Sequence, residues 1–147
     1  MTVGDICTRF VVTADPDETI VEAARRMRDR HVGDVLVTDS QNRPIGILTD
    51  RDIVVGALAE NQNPLDARRI ADVMSRDPIC VRAADSIDSA LKTMRTHGIR
   101  RLPVVSTDGR VEGLLAFDDV LSSMSESISQ LVGLVAREQR RERELRR

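Results

Sequence analysis

The sequence predicts an α/β fold, more finely α+β, built from a duplicated β-α-β-β-α unit and closed by a C-terminal helix. Three observations carry this. The chain of 147 residues matches itself at an offset of 67. Each half then shows the same succession of β-like runs and helical periodicities. The second half is followed by a helical stripe that has no counterpart in the first. A repeat this long points to duplication of a supersecondary unit, with two copies completing one core.

The internal matches run through both halves. Ile20 meets Ile87, Ala23 meets Ala90, Ala24 meets Leu91 and Met27 meets Met94. Val37 meets Val104, Arg43 meets Arg110, Gly46 meets Gly113, Leu48 meets Leu115, Asp52 meets Asp119 and Ile53 meets Val120.

Each unit opens on a β-like run, Phe10–Thr13 or Ile79–Val81. In the first unit Thr19 and Glu22 form a T-x-x-E capping box. Ile20, Ala23, Ala24 and Met27 follow at i, i+3, i+4 and i+7, one face of a helix. Ile87, Ala90, Leu91 and Met94 repeat the pattern. The helices end near His31 and His97, where a donor to the last carbonyls is useful. A strand (Val35–Val37 or Leu102–Val105), a polar turn (Asp39–Arg43 or Ser106–Arg110) and a second strand (Ile45–Leu48 or Val111–Leu115) come next. A second helix closes the unit, from Asp52 to about Leu58 or from Asp119 to about Met124.

The expected organisation is therefore repeat 1 over residues 3–58, a polar linker over 59–72 ending in a short helix from Leu65 to Met74, repeat 2 over 73–125, and a C-terminal amphipathic, Arg/Glu-rich helix over 126–147. In that last helix Ile128, Leu131, Val132 and Val135 make an apolar stripe, expected to pack on the module or on a dimer mate. Glu138, Glu142 and Glu144 among the arginines indicate a solvated helix end with i,i+4 pairs.

Composition narrows the function. The formal charge of −2 gives no general reason to bind nucleic acid or membranes. The only aromatic residues are Phe10 and Phe117, few platforms for stacking single-stranded bases. No apolar run approaches the roughly 18–20 residues of a membrane span, and the N-terminus does not read as a secretory signal. A cytoplasmic location is expected. Cys7 and Cys80 propose neither a disulfide framework nor a metal site. No nucleophile–base pair, cluster of metal ligands or G-x-x-x-x-G-K-[ST] phosphate loop marks an enzyme.

The most specific stretch is Gly46-Ile47-Leu48-Thr49-Asp50-Arg51-Asp52-Ile53. It resembles the G-h-x-T/S-x-x-D-h ribose and phosphate motif of the CBS-domain family, position for position. Gly113 to Val120 keeps the glycine and aspartate but has Ala116 where the family has Thr or Ser. His97 to Val104 is similar to the family's helix-to-strand junction. The resemblance covers roughly residues 3–125 and implies two copies packed through their sheets about a pseudo-two-fold axis, leaving two clefts. It also implies a regulatory, non-catalytic module. Such modules bind AMP, ADP, ATP, NAD or S-adenosylmethionine and pair into dimeric discs, so a homodimer, and a further protein partner that reads its shape, are expected.

A nucleotide offers an apolar base, a ribose diol and a phosphate. The carboxylate of Asp52 suits the diol, because charge-assisted hydrogen bonds outweigh neutral ones. Gly46 would let backbone approach the ligand, and Thr49 lies before a helix N-terminus, where phosphate is favoured. Thr49 and Asp52 equally fit a helix cap, and the two roles are compatible. Carried over from the family, site A takes Gly46, Ile47, Thr49 and Asp52 with Ile79 at the base and Arg100 and Arg101 at the phosphate. Site B takes Gly113, Leu114, Ala116 and Asp119 with Val12, Asp34 and Val35. Asp34 is read as standing where Arg100 stands in site A and as repelling phosphate. Site B is therefore expected to bind weakly. The alternative function is a ligand-free structural or dimerisation module acting through its disc surface and C-terminal helix.

Overall fold

The computed structural model describes residues 1–60 and 64–146. Residues 61–63 of the expected linker and Arg147 of the expected tail lie outside the described residues. In order, the chain forms α1 (Val3–Ile6), β1 (Thr13–Ala14), α2 (Ile20–Arg30), β2 (Asp34–Thr38), β3 (Pro44–Thr49), a π-helical segment (Asp52–Leu58), β4 (Ser75–Arg76), α3 (Ile87–His97), β5 (Arg101–Val105), β6 (Val111–Ala116) and α4 (Phe117–Leu145). No helix among the described residues is long and apolar enough to cross a membrane.

The local signals act as expected in α2. Glu22 N–H donates to Thr19 Oγ1 at 3.1 Å and Thr19 N–H to Glu22 Oε2 at 3.0 Å. This satisfies donors that a helix start leaves unpaired. The apolar face buries Ile20, Ala23 and Met27. His31 itself takes the left-handed cap conformation, with φ 55°, whereas the His97 ring places Nδ1 3.0 Å from the Thr93 carbonyl. Hairpin β2–β3 is antiparallel, with β1 parallel on the other side of β2. Its turn is held by Asp39, whose Oδ1 accepts from Gln41 and Arg43 N–H at 2.9 Å. Hairpin β5–β6 repeats the arrangement.

The opening strands are shorter than the β-like runs. Only Thr13–Ala14 pairs in the first unit, Phe10 stands 96% exposed, and the second unit makes a single parallel bridge, Val81 to Val104. The helix expected from Leu65 to Met74 is two isolated 3-10 turns, Leu65–Ala67 and Ile70–Asp72. Between them the backbone bonds sideways instead of along a helix: Ile20 N–H donates to Arg68 O at 3.0 Å and Ile70 N–H to Glu18 O at 2.9 Å. The second helix of unit two and the C-terminal helix are one element, α4, because nothing between Met124 and Glu126 interrupts the ladder.

The leading segments of the two units are exchanged. Val3 and Cys7 pack with Val81, Ala90, Met94, Leu102, Val104, Leu115 and Val120 of the second unit. Ile70 and Met74 pack with Ala14, Ala23, Met27, Val35, Val37 and Leu48 of the first. The pairing is reciprocal. Ser75 pairs with Ile47 and Thr8 with Leu114; Arg69 pairs with Thr19 and Thr2 with Ser86. Each member of one pair is 67 residues from its counterpart in the other, as a two-fold relation between repeats requires. The hairpin tips also meet, with Val111 N–H donating to Asn42 O at 2.9 Å.

Candidate functional site

A cleft of about 160 Å³ opens where β3, the β4 segment and the start of β5 converge. It is lined by Ile47 from the first repeat, Ser75, Arg76, Asp77, Pro78 and Ile79 from the segment leading the second, and Ile99 and Arg101 from its helix-to-strand junction. Three aliphatic side chains and a proline give a flat apolar body its wall. Two guanidinium groups give an anion a partner. Ile47, Ile79 and Arg101 of the expected site A are thus gathered in one place by the exchange.

The other expected members of site A behave differently. Gly46 does not admit a ligand: a Cβ there would lie 2.5 Å from Met74 Sδ and 2.9 Å from Ser75 O. Its missing side chain makes room for the crossing β4 segment. Thr49 and Asp52 form a reciprocal cap, Thr49 N–H to Asp52 Oδ2 at 2.9 Å and Asp52 N–H to Thr49 Oγ1 at 3.1 Å. One carboxylate oxygen of Asp52 is left for other partners. Neither Thr49 nor Asp52 is on the cleft lining, and nor is Arg100. Its guanidinium carbon lies 5.1 Å from the Phe117 ring centroid and its Nη2 3.5 Å from Asp118 Oδ1. Arg101 lines the cleft and Arg100 does not, although both border a second hollow beside Ala116 and Phe117.

Arg101 donates through Nε to Asp34, with side-chain exposures of 35% and 19%. The strand registers, Asp34 opposite Thr49 and Arg101 opposite Ala116, make Asp34 the counterpart of Arg101 and not of Arg100. Asp34 therefore does not stand as a bare anion. Its charge is met by the guanidinium from the other repeat.

In the expected site B, Val35 is fully buried in the core and offers a ligand no surface, and Leu114 is nearly so. Gly113 is closed off by Thr8 O, 2.7 Å from where a Cβ would sit. Val12 packs against the first-repeat core while its carbonyl accepts from Leu36 N–H at 3.0 Å. Asp119 Oδ2 accepts from Ala116 N–H at 3.2 Å. Ala116 has no hydroxyl to return the bond. A more polar hollow of about 110 Å³ lies nearby, between Arg100, Arg101, Ala116, Phe117 and Asp118.

Ser75, Arg76, Asp77, Pro78 and Ile99 escaped the sequence reading. The residues just before Ile79 were the available signal, since a segment that delivers one wall residue delivers its neighbours too. Asp77 adopts φ 51° and donates its N–H to Ile45 O at 3.2 Å, turning the chain into the cleft. Arg76 Nη2 donates to Ala71 O at 2.8 Å. Burial pushes the neighbouring Cys80 thiol up from its ordinary pKa. Among the described residues no group of three or more His, Cys, Asp or Glu side chains is placed to hold a metal ion.

A duplicated α/β unit with exchanged leading segments and an inter-repeat cleft defines the class of protein: a tandem-repeat pair with a candidate ligand cleft. The CBS-domain family model matches residues 3–57 and 70–126. The chain belongs to the CBS-domain family, as a tandem pair. It is 37% identical over 121 residues to an uncharacterised protein of Methanopyrus kandleri, covering 82% of this chain and 61% of that one. It is 35% identical over 126 residues to hypoxic response protein 1 of Mycobacterium tuberculosis, covering 85% and 86%. Among solved structures it resembles the CBS domain pair of protein MJ0100 in complex with 5′-methylthioadenosine and S-adenosyl-L-methionine, with a TM-score of 0.78, 26% identity, and coverage of 86% and 98%.

Proposed function

We propose that this chain is a sensor: it binds an adenine nucleotide (AMP, ADP, ATP or NAD) in the cleft between its repeats and signals by a change in their relative disposition. It would do so as a cytoplasmic homodimer read by a protein partner. The observation that carries the proposal is the convergence of Ile47, Ile79, Ile99 and Arg101 from both repeats on one cleft. The aliphatic side chains suit a base. Asp52, beyond the cleft lining, keeps a second carboxylate oxygen that suits the ribose diol of a ligand reaching past Ile47. Arg101 suits phosphate once it exchanges its bond with Asp34. The ligands of the MJ0100 pair both carry an adenosyl group and no phosphate, so they support the adenine and ribose part of this reading. A ligand shifts such an equilibrium only by its differential affinity for the two states, and a residue shared between repeats supplies that difference.

Calorimetric titration with AMP, ATP and NAD tests this. The wild type is expected to bind at least one of them. Asp52→Ala and Arg101→Ala are each expected to weaken binding by about tenfold or more, the loss of a charge-assisted hydrogen bond. Asp119→Ala is expected to leave it nearly unchanged. Loss of binding in Asp119→Ala alone would overturn the assignment of the site. The second reading, a structural module without ligand, draws on Thr49 and Asp52 already bonding each other. It requires no heat with any of the three nucleotides and no excess absorbance near 260 nm in a purified chain that has no Trp.

A further inference from the structure

We infer that α4 is a self-association element: its apolar stripe forms a short, parallel, two-stranded coiled coil with α4 of a second copy of this chain. The inference goes beyond nucleotide binding and stands whether or not the cleft is filled.

The spacing is the first argument. Phe117, Leu121, Met124, Ile128, Leu131 and Val135 recur at intervals of 4, 3, 4, 3 and 4. That is the 3.5-residue period of a coiled-coil seam. The alternation places Leu121, Ile128 and Val135 at one seam position and Phe117, Met124 and Leu131 at the other. In the C-terminal part of the seam, Ile128 and Val135 at the first position with Leu131 at the second make the combination that favours two parallel strands.

Exposure is the second. Val120, off the seam, is buried on the module, but Leu121, Met124, Ile128, Leu131 and Val135 are 50–62% exposed. Every described residue of α4 after Glu126 is exposed, and a lone helix of this length is marginal in water. The flanking Val132 and Leu134, 64% and 57% exposed, widen the face that a partner would cover. At its module end the stripe continues into a largely apolar hollow of about 340 Å³ formed by Leu91, Met94, Ile99 and Phe117 with two arginines.

Charge selects the occupant and ends the seam. Glu138 and Glu142 take the next two seam positions, so the apolar contact stops after Val135. In a parallel pair Glu138 and Glu142 would each face the same residue of the other copy, like charges that end the seam there. A membrane surface would instead favour a polar face of one sign, and three glutamates among the tail arginines oppose that.

Sedimentation velocity on the full chain, with and without the double substitution Leu131→Glu/Val135→Glu, tests the inference. Both residues are solvent-facing in one protomer, so the module should fold unchanged by circular dichroism. The wild type is expected to dimerise and the variant to dissociate with a constant raised by about a hundredfold or more, from two charges placed in a buried seam. An unchanged constant overturns the inference. So does a monomeric wild type that cosediments with phosphatidylserine vesicles. A second variant fixes orientation. Leu131→Cys with Cys80→Ser should form an interchain disulfide under mild oxidation, and Gln130→Cys with Cys80→Ser, off the seam, should not. Equal cross-linking of the two, or none from Leu131→Cys, overturns the parallel arrangement.

Discussion

The two repeats share one pattern and differ at the positions of the candidate site. Where repeat 1 has Thr49, repeat 2 has Ala116; where repeat 2 has Arg101, repeat 1 has Asp34; where the segment leading repeat 2 supplies Asp77 and Pro78, that leading repeat 1 supplies Phe10 and Val11. Their backbones also differ at the closing helix. In repeat 1 it is a π-helical turn ending at Leu58, and the Arg68 guanidinium bonds the Gly56 and Ala57 carbonyls at 3.2 and 3.3 Å. In repeat 2 it is α-helical and runs on to Leu145. A framework can therefore stay two-fold symmetric while its ligand chemistry does not. The exchange of leading segments needs both copies. A cleft needs only one good set of side chains.

The largest effects should come from the two glycines that let the leading segments cross. The clash differs in kind. At Gly46 the nearest atom is the end of a flexible methionine, Met74 Sδ, with Ser75 O next at 2.9 Å. At Gly113 the nearest is a backbone carbonyl, Thr8 O at 2.7 Å, with Cys7 Sγ at 3.0 Å. Overpacking costs about 1–3 kcal/mol. Both substitutions meet a backbone carbonyl closer than 3.0 Å, and Gly113→Ala should cost more than Gly46→Ala because Thr8 O is the nearer of the two carbonyls and part of the Gly46 clash is with the movable Met74 side chain. Urea unfolding of both variants checks this. Equal losses would mean that the crossing strand yields as readily as a side chain does.

The helix caps should give the next largest difference. Thr49 and Asp52 bond reciprocally, but in repeat 2 only the Asp119 half of the cap exists. Thr49→Ala should cost about 1 kcal/mol. Ala116→Thr should gain up to a similar amount by adding the missing acceptor for Asp119 N–H. A rise in the urea midpoint at unchanged slope is the expected reading for Ala116→Thr. A fall would show that the α4 start has no room for the hydroxyl.

These positions also show what was legible in the sequence and what was not. The helices, both hairpins and the duplication follow from periodicity and capping residues such as Thr19 and Glu22, which act over three or four positions. The exchange was not legible, because the pairing of Thr8 with Leu114 and of Ser75 with Ile47 is a long-range choice that no local pattern encodes. That choice also reassigns Gly46 from ligand contact to strand crossing. Arg101 lines the cleft and Arg100 does not, because Arg100 precedes the strand and turns to Phe117 and Asp118, a direction that local pattern does not declare. Val35 was read as a contact and is core, because a β-run of apolar residues does not declare which face is buried.

The smallest expected effect concerns pH, at the paired turns that begin each exchanged segment. Thr2 N–H and Oγ1 both donate to Asp5 Oδ2, at 2.8 and 3.0 Å. Arg69 N–H donates to Asp72 Oδ2 at 3.1 Å in the equivalent turn, with no side-chain hydroxyl to add a second bond. The backbone and hydroxyl bonds of Thr2 hold the Asp5 carboxyl below its ordinary value of 3.8. A carboxylate depressed on folding favours the folded state above its unfolded pKa, and that contribution is lost as pH falls through the folded value. The Asp5 contribution should therefore be complete at neutral pH and disappear only below about pH 4. Carboxyl titration by NMR should show Asp5 ionising at a lower pH in wild type than in Thr2→Val, which keeps the backbone donor and removes the hydroxyl. An Asp5 midpoint unmoved by Thr2→Val would show that the hydroxyl bond contributes nothing to the depression.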